Sequence, residues 1–217
     1  MLYVVSTPIG NLEDITLRAI RILGEASLIA AEDTRHTKKL LSHYQIHTPM
    51  ISYHEHNKVK RTSQLIEKLK KGLSLALVTD SGTPGVSDPG FYLIRKAIEE
   101  NISVVPIPGA TACIAALVTS GCPTDKFLFV GFLPVKKGKR KKMLQELIQC
   151  PYTKIIYESP HRLLTLLELL NTINSGVDVV VSRELTKKFE EIFRGNVGSV
   201  YNHFQDNPPR GEIVVLF

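Results

Sequence analysis

Cysteine is almost missing from this chain. Cys113, Cys122 and Cys150 are the only three among 217 residues. They make no CxxC pair and leave an odd number, which argues against a disulfide framework or a cysteine-built zinc site and points to a reducing compartment. Long apolar runs are missing too: none approaches the roughly 20 residues of a membrane-spanning helix. The opening Met1-Leu2-Tyr3-Val4-Val5-Ser6 lacks a charged leader region, so it reads as a first strand and not as a signal peptide. A soluble, cytoplasmic protein with no membrane segment is expected. No G-x-x-x-x-G-K-[ST] occurs, and no G-x-G-x-x-G follows the first strand. Nucleoside triphosphate hydrolysis and ordinary dinucleotide binding therefore lack support. There is no internal repeat and no low-complexity linker.

What is present describes an ordinary globular protein, with 43% hydrophobic and 22% charged residues. The length allows one large domain or two small ones, either with a sizeable core. The net charge of +6 hints at a polyanionic partner. Lys136-Lys137-Gly138-Lys139-Arg140-Lys141-Lys142 gathers six cations into seven positions. Such a run marks a phosphate-backbone contact, because neutralising phosphates releases counterions; the alternative is a solvated loop and first helical turn. No aromatic residue interleaves it, so stacking of single-stranded bases is not suggested there.

Along the first 120 residues strands and helices alternate. Strands are expected at 2–6, 28–31, 50–53, 73–78 and 102–107, and helices at 15–23, 37–44, 58–71, 91–98 and 110–119. That rhythm implies a mainly parallel sheet covered on both faces. It breaks around Gly121-Cys122-Pro123-Thr124, where we place a boundary between domains 1–120 and 121–217. The second part is expected to hold strands at 127–132, 154–157, 177–182, 191–194 and 211–217, with helices near 140–148 and 162–171. Strands without an intervening helix occur only there, so its sheet is expected to be mixed.

The most informative segment is Thr79-Asp80-Ser81-Gly82-Thr83-Pro84-Gly85-Val86-Ser87-Asp88-Pro89-Gly90. It joins a buried strand to a helix and is far longer than an ordinary connection. Its glycines permit positive φ and close approach to a ligand, and its prolines stiffen the path. Thr7-Pro8-Ile9-Gly10-Asn11 and Pro106-Ile107-Pro108-Gly109-Ala110-Thr111-Ala112 also fall at the carboxyl ends of strands. Such loops lie side by side and line the crevice where open α/β sheets bind ligands. All three offer amides, carbonyls and hydroxyls and are poor in cations, which suits a neutral or zwitterionic nucleoside-like ligand better than a polyphosphate.

Seven motifs follow one another in order: Ser6-Thr7-Pro8-Ile9-Gly10-Asn11, Ala31-Glu32-Asp33-Thr34-Arg35, Tyr53-His54-Glu55-His56-Asn57, the turn from Asp80 to Gly90, residues 105–112, Tyr157-Glu158-Ser159-Pro160-His161-Arg162, and Ser182-Arg183-Glu184-Leu185-Thr186-Lys187. This series resembles the ribosomal RNA small-subunit methyltransferases that 2'-O-methylate a cytidine of 16S rRNA, a group within the tetrapyrrole methylase superfamily. The resemblance covers almost the whole chain, although members continue past the final strand whereas this sequence stops at Phe217. It implies two α/β domains of the tetrapyrrole methylase type, S-adenosylmethionine held between them, a homodimer, and 16S rRNA of the small ribosomal subunit as partner. Carried over, the cofactor contacts are Pro8, Gly82, Thr83, Pro84, Val86, Ser87, Asp88, Thr111 and Ala112. Helix amino-termini and exposed amides suit a methionine carboxylate. Asp88 could answer the ammonium or a ribose hydroxyl, or cap the helix that starts at Pro89.

Methyl transfer to a ribose hydroxyl needs in-line placement and a way to remove the proton. Glu32, Asp33, His56, Glu158 and Glu184 are candidates, with Asp33 or Glu158 favoured as proton acceptor and Arg35, Arg162 and Arg183 as positioners of phosphate or substrate. For each carboxylate the competing reading is a structural ion pair. His54-Glu55-His56 would put two imidazoles on one face of a strand, yet no third ligand lies near and no metal is expected. Tyr3, Tyr53 and Tyr157 read as core or pocket wall. Two alternatives stay open: methylation of a tetrapyrrole or other small molecule, and a non-catalytic ribosome-binding module that kept the fold.

Overall fold

The apolar runs of the first part line up edge to edge in one sheet. A computed structural model describes all residues, Met1–Phe217. Strands β1 (Leu2–Val5), β2 (Leu28–Ala31), β3 (Met50–Ser52), β4 (Leu75–Val78) and β5 (Val104–Ile107) take the order β3-β2-β4-β1-β5, and every pairing is parallel. Central β4 is buried along its whole length, which is why Leu-Ala-Leu-Val reads as a continuous apolar run with no alternation. Helices α1 (Leu17–Glu25) and α2 (Thr34–His43) cover one face through Ala19, Ile22, Leu23 and Leu41. Helices α3 (Lys58–Lys70) and α4 (Gly90–Glu99) cover the other through Leu65, Ile66, Leu69, Leu93 and Ala97. Connections leaving β1 and β4, which are neighbours, thus pass over opposite faces. Between those two strands lies the switch point at which open sheets part their loops.

Capping residues fix the helix starts. Thr16 accepts the Ala19 N–H at 3.1 Å and Asp33 accepts the Arg35 N–H at 2.8 Å; each such cap is worth about 1 kcal/mol. Cap geometry moves the expected boundaries: α1 starts at Leu17 and runs past Gly24, and α2 starts at Thr34, three residues earlier than expected.

The second compact unit runs from Ala112 to Phe217. It contains α5 (Ala112–Ser120), β6 (Phe127–Phe132), α6 (Lys137–Gln149), β7 (Thr153–Glu158), α7 (Pro160–Ile173), β8 (Asp178–Arg183), β9 (Glu191–Asn196), α8 (Val197–Asp206) and β10 (Ile213–Leu216). The order is β6-β7-β10-β8-β9, with β6–β7 parallel and the other pairs antiparallel, so this sheet is mixed. Leu163, Leu166, Leu167 and Leu170 of α7 pack with Val197, Val200 and Phe204 of α8 over Ile156, Val179, Val181 and Val215. Each of these fully buried side chains stabilises the unit by roughly 1.5–3 kcal/mol.

Two expectations need correction. The division between units falls after Thr111, not after residue 120, because α5 lies against β7, β8 and β10 of the second sheet. Helix α8 was not foreseen: Gly198, Asn202 and His203 are weak helix formers, and the helix is held by packing of Val197, Val200 and Phe204. Asn196 caps it by accepting the Gly198 N–H at 3.0 Å. No helix is long and apolar enough to cross a membrane.

Candidate functional site

The β1/β4 switch point is closed by a backbone bridge. Thr7 N–H donates to the Gly82 carbonyl at 2.9 Å and Gly82 N–H returns a bond to the Thr7 carbonyl at 3.1 Å. Gly82 holds φ at +82°, a conformation that side chains rarely adopt. Hydroxyls then tie in the third loop. Ser6 Oγ lies 2.8 Å from Thr83 Oγ1, which lies 2.6 Å from Thr111 Oγ1 and 3.2 Å from the Ala110 carbonyl. Gly109 packs so close that a Cβ there would come within 2.8 Å of the Ser6 Cβ. The loops after β1, β4 and β5 are therefore one assembly. Pro8, Gly82 and Pro84 are buried in it, Thr83, Val86 and Thr111 are half-buried, and Ser87 is exposed with φ +66°. Ala112 begins α5 in the second unit.

Asp88 holds the long turn in shape. Its Oδ1 and Oδ2 accept the Gly85 N–H at 2.9 and 2.8 Å, and Oδ1 accepts the Gly90 N–H at 2.7 Å where α4 starts. Burial pushes its carboxyl above the usual aspartate range despite these bonds. The carboxylate thus braces the turn and meets the first N–H of α4, next to Pro89 at that helix's N-cap.

A second cluster forms where β2 and β4 end side by side. Thr79 Oγ1 donates to Glu32 Oε2 at 2.6 Å, and Asp33 N–H donates to Asp80 Oδ1 at 2.9 Å. Asp33 itself is committed to Arg35, whose Nη2 and Nε lie 2.8 and 3.2 Å from its two oxygens. The Arg35 side chain, hydrogen-bonding and charged, holds the Asp33 carboxyl well below the usual range. Asp80 moves the other way: burial, with Glu32 adding to it, pushes its carboxyl up even though the Asp33 N–H opposes this. Asp80 and Ser6 lie within the sequence motifs but outside the expected set of site residues. Their signal, a carboxylate or hydroxyl at the end of a buried strand, gains meaning only once β4 is seen between β2 and β1.

The remaining nominated residues lie in the second unit. Glu158, buried at the end of β7, accepts the Ser159 N–H at 2.8 Å and faces Arg162, whose Nε is 3.0 Å away. Arg162 Nη2 also donates to the Leu133 carbonyl at 2.9 Å. Arg183 Nε sits 2.5 Å from Glu191 Oε2, and His203 Nε2 lies 2.7 Å from the other Glu191 oxygen. Burial alone would raise the Glu191 carboxyl; Arg183 and His203 outweigh it and hold it low. Glu184 binds Lys187 at 2.8 Å and accepts the Glu212 N–H at 3.0 Å. In this unit the nominated charges are paired with protein groups. His54 and His56 stand in a turn beyond the end of β3, ring centroids 6.0 Å apart, and not on one face of a strand.

The basic run is the first two turns of α6, and one member is not available. Arg140 is buried, donating from Nε to the Pro134 carbonyl at 3.0 Å and from Nη2 to the Val135 carbonyl at 3.1 Å. Lys136, Lys137, Lys139, Lys141 and Lys142 are exposed. Cations at a helix amino-terminus oppose its dipole, so this placement costs stability unless an anion meets it.

Against known proteins, residues 1–201 match the family model described as Tetrapyrrole (Corrin/Porphyrin) Methylases. Similar curated proteins carry the name ribosomal RNA small subunit methyltransferase I. That of Synechocystis sp. is 52% identical over 217 residues, covering 100% of this chain and 78% of its own. That of Halalkalibacterium halodurans is 49% identical, covering 99% and 74%. Among solved structures, cobalt precorrin-4 methyltransferase superposes with a TM-score of 0.70 at 16% identity, covering 99% of this chain and 93% of that one. Uroporphyrin-III C-methyltransferase from Thermus thermophilus, complexed with S-adenyl homocysteine, gives 0.67 at 17%, covering 99% and 96%. These structural likenesses concern the fold. With a family model across nearly all of its length and relatives about half identical along the whole of it, the chain belongs to the tetrapyrrole methylases and, within them, to the family of ribosomal RNA small subunit methyltransferase I.

Proposed function

We propose that the protein transfers a methyl group from S-adenosylmethionine to the 2'-hydroxyl of a cytidine in 16S rRNA of the small ribosomal subunit. The observation that carries the reading is the assembly of three loops at the β1/β4 switch point, tied by the Thr7–Gly82 bridge and the Ser6–Thr83–Thr111 hydroxyls. Its residues fit the cofactor. The loops contain no lysine or arginine, so they suit a zwitterion and not a polyphosphate, and Gly82, at φ +82°, lets the turn adopt a backbone conformation that side chains rarely permit. Pro8, Gly82, Thr83, Pro84, Val86, Ser87, Thr111 and Ala112 would hold it, with Asp88 fixing the turn from behind. Bound there, S-adenosylmethionine supplies a methyl group activated by a sulfonium.

The chain's own task is to orient the ribose and take its proton. The 2'-oxygen gains the methyl carbon and loses its proton, and the proton needs an acceptor on the enzyme. Asp33, held ionised by Arg35, is a weak base. Asp80, held high by burial at the head of the cofactor turn, is a stronger one and is the acceptor we assign. Arg35 is 89% exposed at its side chain and can leave Asp33 for a phosphate at small cost, since an exposed ion pair is worth about 1 kcal/mol or less. A homodimer belongs to the same reading through the resemblance; sedimentation at micromolar concentration tests it, and a monomer removes that part.

RNA methylation with labelled methyl donor tests the substrate. Replacing Lys139, Lys141 and Lys142 with alanine is expected to lower methylation of 16S rRNA and flatten its salt dependence by about one log–log unit per lost contact, with cofactor affinity kept. Arg140→Ala has a different outcome. It leaves the Pro134 and Val135 carbonyls without their buried donor, costing about 2–3 kcal/mol of stability and lowering the melting temperature. A triple variant that methylates rRNA like the wild type would remove this helix from the docking surface.

A further inference from the structure

Charge in the first unit is gathered in one place. Between Thr34 and Arg61 the sequence holds six lysines and arginines, Arg35, Lys38, Lys39, Lys58, Lys60 and Arg61, against Glu55, while the acids Glu32, Asp33 and Asp80 stand beside them where β2 and β4 end. The segment itself carries a formal +5, second to the +6 of the run 136–142. The fold brings its two charged ends together. Because β2 and β3 are adjacent and parallel, the start of α2 and the start of α3 emerge from the same edge of the sheet. The two helices lie on opposite faces, so their cations straddle the strand ends. Lys38, Lys39 and Lys60 are exposed and have no ion-pair partner. Arg35 and Lys58 are paired only with Asp33 and Glu55. His36 and His56 add exposed ring donors at the same edge.

That edge is also the one from which the cofactor turn leaves β4, next to β2 in the sheet. We propose that the carboxyl edge of β2 and β3, bracketed by the first two turns of α2 and the first turn of α3, is a docking surface for the phosphate backbone of the RNA substrate. A strand of RNA lying along it runs toward the loops of the methyl-transfer site without leaving the sheet edge. No exposed Phe, Tyr or Trp stands among these groups, and the cations dominate them, which makes this a contact with the backbone first. The proposal rests on the rRNA reading above and names where the RNA is held.

The test compares charge at two ends of one unit. Lys38→Gln/Lys60→Gln removes two free cations from the edge. Lys68→Gln/Lys71→Gln removes two exposed cations at the far end of α3, about 12 to 17 Å along the helix from Lys60, so both variants lose equal charge. Affinity for protein-free 16S rRNA is measured across a salt series, beside cofactor affinity and methyl transfer. The edge variant is expected to bind rRNA on the order of tenfold more weakly near physiological salt, with a log–log slope smaller by one to two units. The far-end variant and the cofactor affinity of both should match the wild type. Equal losses in the two variants mean diffuse attraction and overturn the proposal. A loss seen with assembled subunits but not with protein-free rRNA means a protein partner and overturns it too. If the wild type methylates rRNA and the edge variant binds it unchanged, only this docking surface fails; if the wild type neither binds nor methylates rRNA, the underlying reading fails with it.

Discussion

Gly82→Val is expected to abolish binding of S-adenosylmethionine while leaving the protein folded. Gly82 sits at φ +82°, where a β-branched residue is strained by about 1–3 kcal/mol or more. Its backbone also exchanges two hydrogen bonds with Thr7, so the turn cannot rotate away without breaking the bridge between the β1 and β4 loops. A new Cβ would lie 3.4 Å from Ile9 Cγ2 and 3.7 Å from the Ala110 carbonyl, already in contact with both neighbouring loops. The core clusters on either face of the sheet do not include Gly82, so the unit should retain its cooperative unfolding. Isothermal titration should show affinity reduced at least about 100-fold, roughly the 2.7 kcal/mol that two lost orders of magnitude represent. Binding at wild-type strength would remove this turn from the cofactor site.

Asp80→Asn is expected to lower kcat by about 10²- to 10⁴-fold, the usual contribution of a positioned base, with cofactor affinity unchanged. The amide oxygen can still accept the Asp33 N–H, so the loop keeps its shape. In the wild type the rate should rise with pH as Asp80 loses its proton, with a midpoint above the ordinary aspartate value of about 3.9. The variant should lack that limb. Stability moves in the opposite sense. A carboxyl raised on folding contributes stability that is present below its unfolded pKa and is lost as pH rises through its folded one. At neutral pH the ionised, half-buried Asp80 is therefore a liability, and Asp80→Asn should melt no lower than the wild type. An inactive variant that is no less stable marks function and not structure. Full activity in Asp80→Asn would move the base to another residue.

Much of the fold was legible because it depends on local pattern. The β–α alternation of the first unit, the buried run at 75–78 and the long glycine-rich turn each declare themselves in sequence. What could not be read depends on which element lies beside which. Residues 110–119 look helical, but nothing local says that α5 joins the second sheet. Asp80 gains its neighbours Glu32 and Asp33 only from the order β3-β2-β4-β1-β5, which no local pattern contains. The two cationic helix starts meet for the same reason. The role of Arg140 is local: it stands four and seven residues before Leu144 and Leu147, on the buried stripe of α6. A cation on that stripe is a structural one, whatever run surrounds it.

The central claim is methyl transfer to a ribose hydroxyl of 16S rRNA, and the direct measurement is the position of the transferred methyl. The wild-type protein is incubated with S-adenosylmethionine labelled in its methyl group and with either protein-free 16S rRNA or assembled small subunits, and the RNA is then hydrolysed in alkali. A 2'-O-methyl group blocks attack of that oxygen on the neighbouring phosphate, so the label should survive in one alkali-resistant dinucleotide that begins with cytidine. Label recovered on mononucleotides, or label accepted by a tetrapyrrole and by neither form of RNA, would contradict the account.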